Sequence, residues 1–262
     1  MMPVVFCAHG NPMNAIRDNR FTRFLRGWGP ALPKPRAVLA ISAHWEAARL
    51  AVTAAARPET IHDFYGFPEE LFAVRYPAPG DPGLASRIES LLRAAGLDAA
   101  IDAKRGLDHG AWAPLRCLYP DASVPVVQLS LLAGLPFARH VEVGRALAPL
   151  RHEGVLVLGS GNLVHNLRTA DLFDERERAV PWALEFDAWV AASLHAWDLE
   201  ALAAFMDRAP QGRLAHPTAE HYVPLLVAAG AASAPSGAPP RVSFPFEGFE
   251  HATISLRCVT FS

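Results

Sequence analysis

The sequence predicts an α/β fold in which helices cover both faces of a central, mostly parallel or mixed sheet. Two observations lead to this prediction. The early strand candidates are continuous apolar runs, which are typical of strands buried on both faces. Candidate helices fall between the strands, and this alternation favours a sheet with helices packed on each side. The chain has 262 residues, 51% of them apolar, and no internal repeat, so we expect a single domain over residues 1–262.

Seven segments are predicted to be strands, because each is a short run rich in apolar residues and bounded by turn-forming residues. In chain order they are Val4–Ala8, Val38–Ala43, Leu50–Ala54, Val124–Leu131, Val155–Gly159, Val242–Phe244 and Thr253–Thr260. The low-complexity segment Ala231–Pro240 is predicted to be a surface loop before the last two strands.

Five segments are predicted to be helices, and these are Pro82–Ala95, Phe137–Arg151, Pro181–Trp197, Leu199–Met206 and Thr218–Ala229. The first has apolar residues at helical spacing and ends before Gly96. In the second, Pro149 is expected to disturb the last turn. Thr218 is the expected N-cap of the last helix, which would place Glu220 and His221 in its first turn.

The composition excludes several classes of function. Charged residues make up 19% of the chain and the formal net charge is -2, so no basic face for nucleic acid and no polybasic membrane patch is expected. No apolar stretch reaches the roughly 18 residues that a membrane-spanning helix needs, and no signal peptide is recognised at the N-terminus. Cys7, Cys117 and Cys258 are scattered, and they are typical of buried thiols in a reducing cytoplasm.

Three predicted strands lead into histidines. Val4–Ala8 leads into His9, Val38–Ala43 into His44, and the run from Val155 through a glycine-rich turn into His165. Ligands of open α/β sheets bind outside the carboxyl ends of the strands, so these imidazoles can meet at one edge.

A fourth histidine, His221 in HPTAEHY, could join these three from the last predicted helix. One such histidine alone is more often a hydrogen-bonded residue at the rim of a sheet, but four together indicate a metal site.

Other histidines are assigned weaker roles. His109 in LDHGAW is either part of a capped loop or an imidazole that faces the substrate near a helix N-terminus. His62 belongs to an aromatic loop, Ile61–Phe67, that could either line an apolar pocket or only pack locally. The helical histidines His140, His152 and His195 are predicted to be solvated, whereas His216 and His251 receive no role.

Several well-known catalytic motifs are absent from the sequence. It contains no GxSxG, GxGxxG, P-loop, HExxH or CxxC pattern. Nucleophilic catalysis has only the weak support of Ser160 near His165.

At these residues the chain resembles the class III extradiol ring-cleaving dioxygenases, in particular their 4,5-DOPA dioxygenase extradiol-like branch. The matching segments are HGNPMNAI (9–16), ISAHW (41–45), TIHDFYGFPEELFAVRYPAPG (60–80), DHGAW (108–112), PVVQLSL (125–131), GSGNLVHNLR (159–168) and HPTAEHYVPLL (216–226). They occur in one order over nearly the whole chain, and the family shares the α/β architecture predicted above.

The resemblance implies one mononuclear metal that works as Fe(II), although Zn²⁺ often occupies such sites in purified members. By motif, His9 and His44 take the first two ligand positions. The third ligand falls in PTAEHY, where the resemblance favours His221 and leaves Glu220 as the alternative. The expected substrates are a small catechol, such as a DOPA-like compound, and O2.

The resemblance also implies roles for two further histidines. His165 takes the position of the acid/base histidine and could also bind the metal, and His109 takes the position of a second active-site histidine. NLRTAD, expected to be helical after His165, lacks the proline-bearing loop of the plant betalain enzymes, which leaves the natural catechol open. A homodimer like those of the family is compatible with the sequence.

Two other classes of function stay open at this point. In a zinc-dependent hydrolase, the histidines would hold zinc and Glu220 would be the general base. In a non-catalytic binding protein, the same scaffold would have lost its metal chemistry.

Overall fold

Eight strands form one mixed sheet in a computed structural model of the chain, which describes residues 1–172, 178–234 and 236–262. The strands of this sheet are β1 (Val4–Ala8), β2 (Ala37–Ala47), β3 (Leu50–Thr53), β4 (Ala99–Asp102), β5 (Val126–Leu132), β6 (Val155–Gly161), β7 (Val242–Phe246) and β10 (Cys258–Phe261). A separate two-stranded sheet contains β8 (Phe249–Glu250) and β9 (Ile254–Ser255).

The strand order in the main sheet is β4-β3-β5-β2-β6-β1-β10-β7. The central strands β5, β2, β6 and β1 are parallel to one another. Antiparallel pairs occur where β3 meets β5 and where β10 meets β1 and β7. The prediction of a mostly parallel or mixed sheet is therefore confirmed, and the carboxyl ends of the central strands share one edge.

Helices surround the sheet. They are α1 (Arg20–Ala31), α2 (Glu69–Phe72), α3 (Pro82–Ala94), α4 (His109–Leu118), α5 (Phe137–Leu147), α6 (Pro181–His195), α7 (Leu199–Ala203), α8 (Phe205–Arg208), α9 (Gly212–Ala215) and α10 (Val223–Ala232). Short 3-10 helices span Pro12–Ala15 and Ala148–Arg151. None of the helices in the described ranges has the length and apolar character that crossing a membrane requires.

Two apolar clusters cover opposite faces of the sheet. Alternate residues of a strand point to opposite faces, and accordingly Phe6 belongs to the cluster that contains residues of α3, α5, α6 and α10, whereas Val5 belongs to the cluster with residues of α1 and α4. The expectation of helices on both faces is confirmed. Cys7, Cys117 and Cys258 are all buried free thiols, as predicted.

The helix predicted to begin at Thr218 begins instead at Val223. Pro224 lies in its first turn, where a missing N–H costs nothing, and this preference determines where the helix starts. Glu220 and His221 therefore lie in the turns before α10, and the prediction that they lie in its first turn is wrong.

Several other predicted elements also differ from the structure. The strand Thr253–Thr260 is divided into β9 and β10, and Arg257 between them forms an ion pair with Asp187 at 2.6 Å. The helix Leu199–Met206 is divided at Ala204 into α7 and α8. The chain that follows His165 is irregular as far as residue 172, so the expected helix is absent from that stretch. The loop Ala231–Pro240 begins two residues later than expected, after Ala232, and its residue 235 lies outside the described residues.

Candidate active site

The ends of β1 and β6 bring two of the histidines into position. His9 follows the last residue of β1, and its backbone N–H donates to Gly161 O at 3.1 Å. The turn that carries His221 packs against the end of β6, where Asn162 N–H donates to His221 O at 3.0 Å. His44 comes from β2, in a stretch where its register with β5 shifts.

Close approach of these segments requires glycine at two positions. A Cβ at Gly161 would collide with the backbone carbonyl of His221. A Cβ at Gly110 would collide with Ser42 Oγ and press on the ring of His44. Both glycines therefore let backbone and imidazole rings pack at distances that any side chain would prevent.

Three imidazoles converge at this edge. One ring nitrogen from each of His9, His44 and His221 lies within 4.8 Å of the others, and the Nε2 atoms of His9 and His44 are 3.2 Å apart. Nitrogen ligands about 2.1 Å from a common ion are at most about 4.2 Å apart, so a small contraction would let all three bind one ion. The donor set therefore fits a metal such as iron or zinc.

Hydrogen bonds determine which nitrogen of His9 faces the cluster. Ser160 Oγ donates to the carbonyl of Gly110 and lies 3.0 Å from His9 Nδ1. Because the hydroxyl proton is already used, Ser160 accepts the Nδ1–H of His9. The lone pair of His9 Nε2 is then directed at the cluster, which is the arrangement that a metal-binding imidazole needs.

Glu220 accepts a hydrogen bond from His221, as Ser160 does from His9. Its Oε1 lies 2.9 Å from His221 Nδ1 and also accepts a hydrogen bond from Thr218 Oγ1 at 3.0 Å. A carboxylate only accepts, so Nδ1 carries the proton and Nε2 is free to bind. In this geometry Glu220 orients His221, and a role for its carboxylate as metal ligand is not needed.

The imidazoles of the cluster are held in the neutral form. Burial lowers the pKa of His9 and His221 well below the usual histidine value, and the other histidines add to the effect. Burial and the neighbouring His109 lower the pKa of His44 to about 3, although Asp63 opposes the shift. Neutral imidazoles keep the lone pairs that a metal requires.

His165 lies against the cluster. Its ring stacks on that of His221, with centroids 3.4 Å apart and an interplanar angle of 9°. Its backbone N–H donates to Ala215 O at 3.1 Å, so the irregular chain after β6 is anchored to the end of α9. Burial, followed by the effect of His216, lowers the pKa of His165 to about 3.

His109 is the first residue of α4. Its ring centroid is 3.9 Å from that of His44. Asp63 Oδ1 accepts the backbone N–H of His109 at 2.9 Å and lies 2.9 Å from His109 Nδ1. Burial acts to raise the pKa of Asp63, but the contacts with His109 outweigh it and lower the pKa to about 2. A carboxylate at a helix N-terminus is favourable in any case.

Asp63 was not identified from the sequence. The sequence feature that could have identified Asp63 is an acidic residue inside the aromatic loop, next to His62, in a chain with few charges. His62 itself does not line the cavity, and its Nε2 lies 3.0 Å from Val74 O. Of the aromatic loop Ile61–Phe67, residues 63–67 line the cavity, whereas Ile61 and His62 do not.

The histidines open into a cavity of about 640 Å³. Its lining includes the rings of Phe64 and Phe67, and Tyr65 stands at its mouth with 92% of its surface exposed. Four further polar residues line it that the sequence did not single out for this site, namely Asn11, Arg17, Glu250 and His251. A larger groove of about 880 Å³ lies elsewhere, with His152 as its one histidine, so the chemistry favours the smaller cavity.

The predicted solvation of the helical histidines is correct for His152 and His195 and wrong for His140, which is only 3% exposed. The helix α5 packs closely on α10, where Gly144 approaches the backbone of Val227, and this packing buries one flank of α5. Burial lowers the pKa of His140 to about 4.

Comparison with known proteins agrees with this geometry. Residues 2–256 match the family described as the catalytic LigB subunit of aromatic ring-opening dioxygenase. A 4,5-DOPA dioxygenase extradiol from Escherichia coli (strain K12) is 43% identical, covering 98% of this chain and 94% of that protein. A protein of the same name from Beta vulgaris is 44% identical over 87% of this chain and 85% of its own.

A solved structure has the same fold. The crystal structure of an uncharacterized protein from Escherichia coli K12 superposes with a TM-score of 0.85 at 39% identity, and the match covers 100% of both chains. The family match spans nearly the whole chain, so the resemblance seen in the sequence is confirmed. The protein belongs to the LigB family and is a metal-dependent extradiol dioxygenase that opens aromatic rings.

Proposed function

We propose that His9, His44 and His221 bind the metal, and that it works as Fe(II), with Zn²⁺ able to occupy the same nitrogens. The supporting observation is the convergence of three neutral imidazoles at the base of an aromatic-walled cavity. Imidazole nitrogens suit both metals. When bound, Fe(II) would supply the binding site for the two catechol oxygens and the redox chemistry with O2.

The donor count supports a catalytic site. A closed structural zinc site uses four protein ligands, whereas a catalytic site has three and keeps a position for substrate. The three histidines provide such a set, and the Nδ1–H of His221 is already engaged by Glu220. We therefore favour His221 over Glu220 as the third ligand.

We propose that His165 is the acid/base group and could also reach the metal. Its ring lines the cavity beside His221, a position from which it can take a proton from a catechol hydroxyl and return it to the product. His109 is proposed to hydrogen-bond the substrate oxygens, with Asp63 holding its Nδ1 side. Phe64 and Phe67 would exclude water and pack on the planar ring.

The proposed substrate is a catechol with a DOPA-like side chain, together with O2. The names of two relatives above 40% identity support this substrate. We also propose that residues 1–262 act as one catalytic domain, as a homodimer, in the cytoplasm. The three buried free thiols support a reducing compartment.

Anaerobic loading with Fe(II) tests the proposed function. After addition of a catechol and air-saturated buffer, an oxygen electrode should record one O2 consumed per catechol, and a yellow ring-opened product should form. The zinc-loaded protein should consume no O2. A hydrolase would be active with zinc and without O2, and a binding protein would retain the catechol unchanged, so either result would remove the proposal.

Replacement of Glu220 by Ala is expected to weaken metal binding about tenfold to a hundredfold, the usual effect of losing a carboxylate that orients a ligand histidine. Competition with a chelator measures the affinity. Glu46→Gln is the control, because Glu46 is a largely exposed carboxylate that lies near Glu220. Partial burial, followed by the charge of Glu220, raises the pKa of Glu46. A complete loss of metal from Glu220→Ala, with Glu46→Gln unaffected, would instead make Glu220 a ligand.

A further inference from the structure

Glu250 is a carboxylate in the cavity whose hydrogen-bond donors are all neutral. It ends β8 and lines the cavity together with the histidine cluster. One oxygen accepts the backbone N–H of Asn11, and the other accepts Asn14 Nδ2 at 3.1 Å. Within the described ranges, Glu250 forms no ion pair with an Arg, Lys or His nitrogen.

The backbone conformation of Gly10, in the turn after β1, allows Glu250 to lie beside this turn. Gly10 follows His9 directly and has a φ of 60°, a conformation that favours glycine. A Cβ at Gly10 would collide with Glu250 Oε1, so the glycine is what admits the carboxylate. A ligand held at the histidines therefore shares one cavity with Glu250, and a substituent on its ring can reach toward that carboxylate.

A carboxylate in such surroundings can accept a cationic donor at hydrogen-bond distance. Burial raises the pKa of Glu250, and the hydrogen bonds from Asn14 and Asn11, followed by the electrostatic effects of His251 and Arg17, oppose that shift. The donors to its oxygens are Asn11 and Asn14, and neither His251 nor Arg17 donates to them. Buried charges in proteins are normally paired, because an unpaired one loses its hydration without compensation. A carboxylate offers about four acceptor positions, and only two are used here.

We propose that Glu250 is the subsite for an ammonium group on the side chain of the substrate. An ammonium has three donors and no acceptor, which matches the unused acceptor positions of the carboxylate. The enzyme should therefore prefer catechols with a cationic side chain over neutral ones and disfavour those with an anionic side chain alone. This inference rests on the proposed function, since it takes the catechol to be held at the histidines.

A purely structural role for Glu250 is the competing explanation, because its two hydrogen bonds also tie β8 to the turn after β1. Glu250→Gln separates the two roles. Glutamine keeps a carbonyl oxygen that accepts hydrogen bonds, but it carries no charge to attract an ammonium. Glu247→Gln is the matched control, since Glu247 is 58% exposed, lies three residues away and is not part of the cavity lining.

The test compares steady-state kinetics with dopamine, which has an ammonium side chain, and ethylcatechol, which is its neutral analogue. In Glu250→Gln we expect KM for dopamine to rise about tenfold to a hundredfold, the usual effect of a lost hydrogen bond to a charged group. KM for ethylcatechol should stay within about twofold. Glu247→Gln should leave both values unchanged. An equal rise for both substrates, or no change for dopamine, would overturn the subsite.

Two further measurements keep the inference testable if Glu250→Gln fails to fold. In the unaltered enzyme, dopamine should have a lower KM than ethylcatechol, and dihydroxyphenylpropionate a higher one; the reverse order would overturn the inference. Calorimetric titration of the metal-loaded protein without O2 should give the same order of affinities. If no catechol is consumed at all, the proposed function fails, whereas turnover of ethylcatechol without a preference for dopamine removes only the subsite.

Discussion

Replacement of His44 by Ala is expected to abolish metal binding and ring opening together. His44 Nε2 lies 3.2 Å from His9 Nε2, and the two nitrogens belong to the group of three that could hold one ion. Two remaining imidazoles would hold iron too weakly to keep it through purification. Elemental analysis and O2 uptake measure the two losses, and His9→Ala should behave in the same way.

Thermal unfolding provides a second readout of the same prediction. A metal that binds only the folded state raises stability in proportion to the logarithm of its concentration over its Kd. Added metal should therefore raise the Tm of the unaltered protein and leave that of His44→Ala unchanged. His152→Ala is the control, because His152 is exposed and outside the cavity. Retention of one metal per chain by His44→Ala would refute the assignment of His44.

Replacement of His165 by Gln is expected to lower kcat by about a hundredfold to ten-thousandfold, the usual range for loss of a general acid–base group. This decrease corresponds to about 2.7–5.4 kcal/mol of activation free energy. The change should leave metal content intact, because His9, His44 and His221 supply the three donors. Turnover under saturating catechol and elemental analysis, made on the same preparation, test the two parts.

The stacking of His165 on His221 makes the choice of substitution important. The two rings are 3.4 Å apart, so a small residue would leave a gap beside a ligand histidine, whereas glutamine retains part of the volume. Loss of the metal from His165→Gln would identify His165 as a ligand. An unchanged kcat would show that His165 does not transfer a proton during turnover.

The main sheet was predictable because its central strands are buried on both faces and so are continuous apolar runs. Several elements were not predicted, and two of them, β4 and α1, show why. The strand β4 is an edge strand of four residues in which only Ala99 is buried and Ile101 is exposed, and its apolar run of three residues is too short to indicate a strand. The helix α1 contains Gly27, Gly29 and Pro30, residues that weaken a helix, although it has a capping box at its start.

The sequence alone indicated that His9, His44 and His165 could meet, because each follows a predicted strand and the carboxyl ends of parallel strands share one edge. Only the tertiary structure decided which partner each imidazole has. Ser160 beside His9, Asp63 beside His109 and Glu250 beside Gly10 are pairs 46 to 240 residues apart in the chain. Local patterning carries no information about such pairs, since they depend on how loops from different strands pack at one edge.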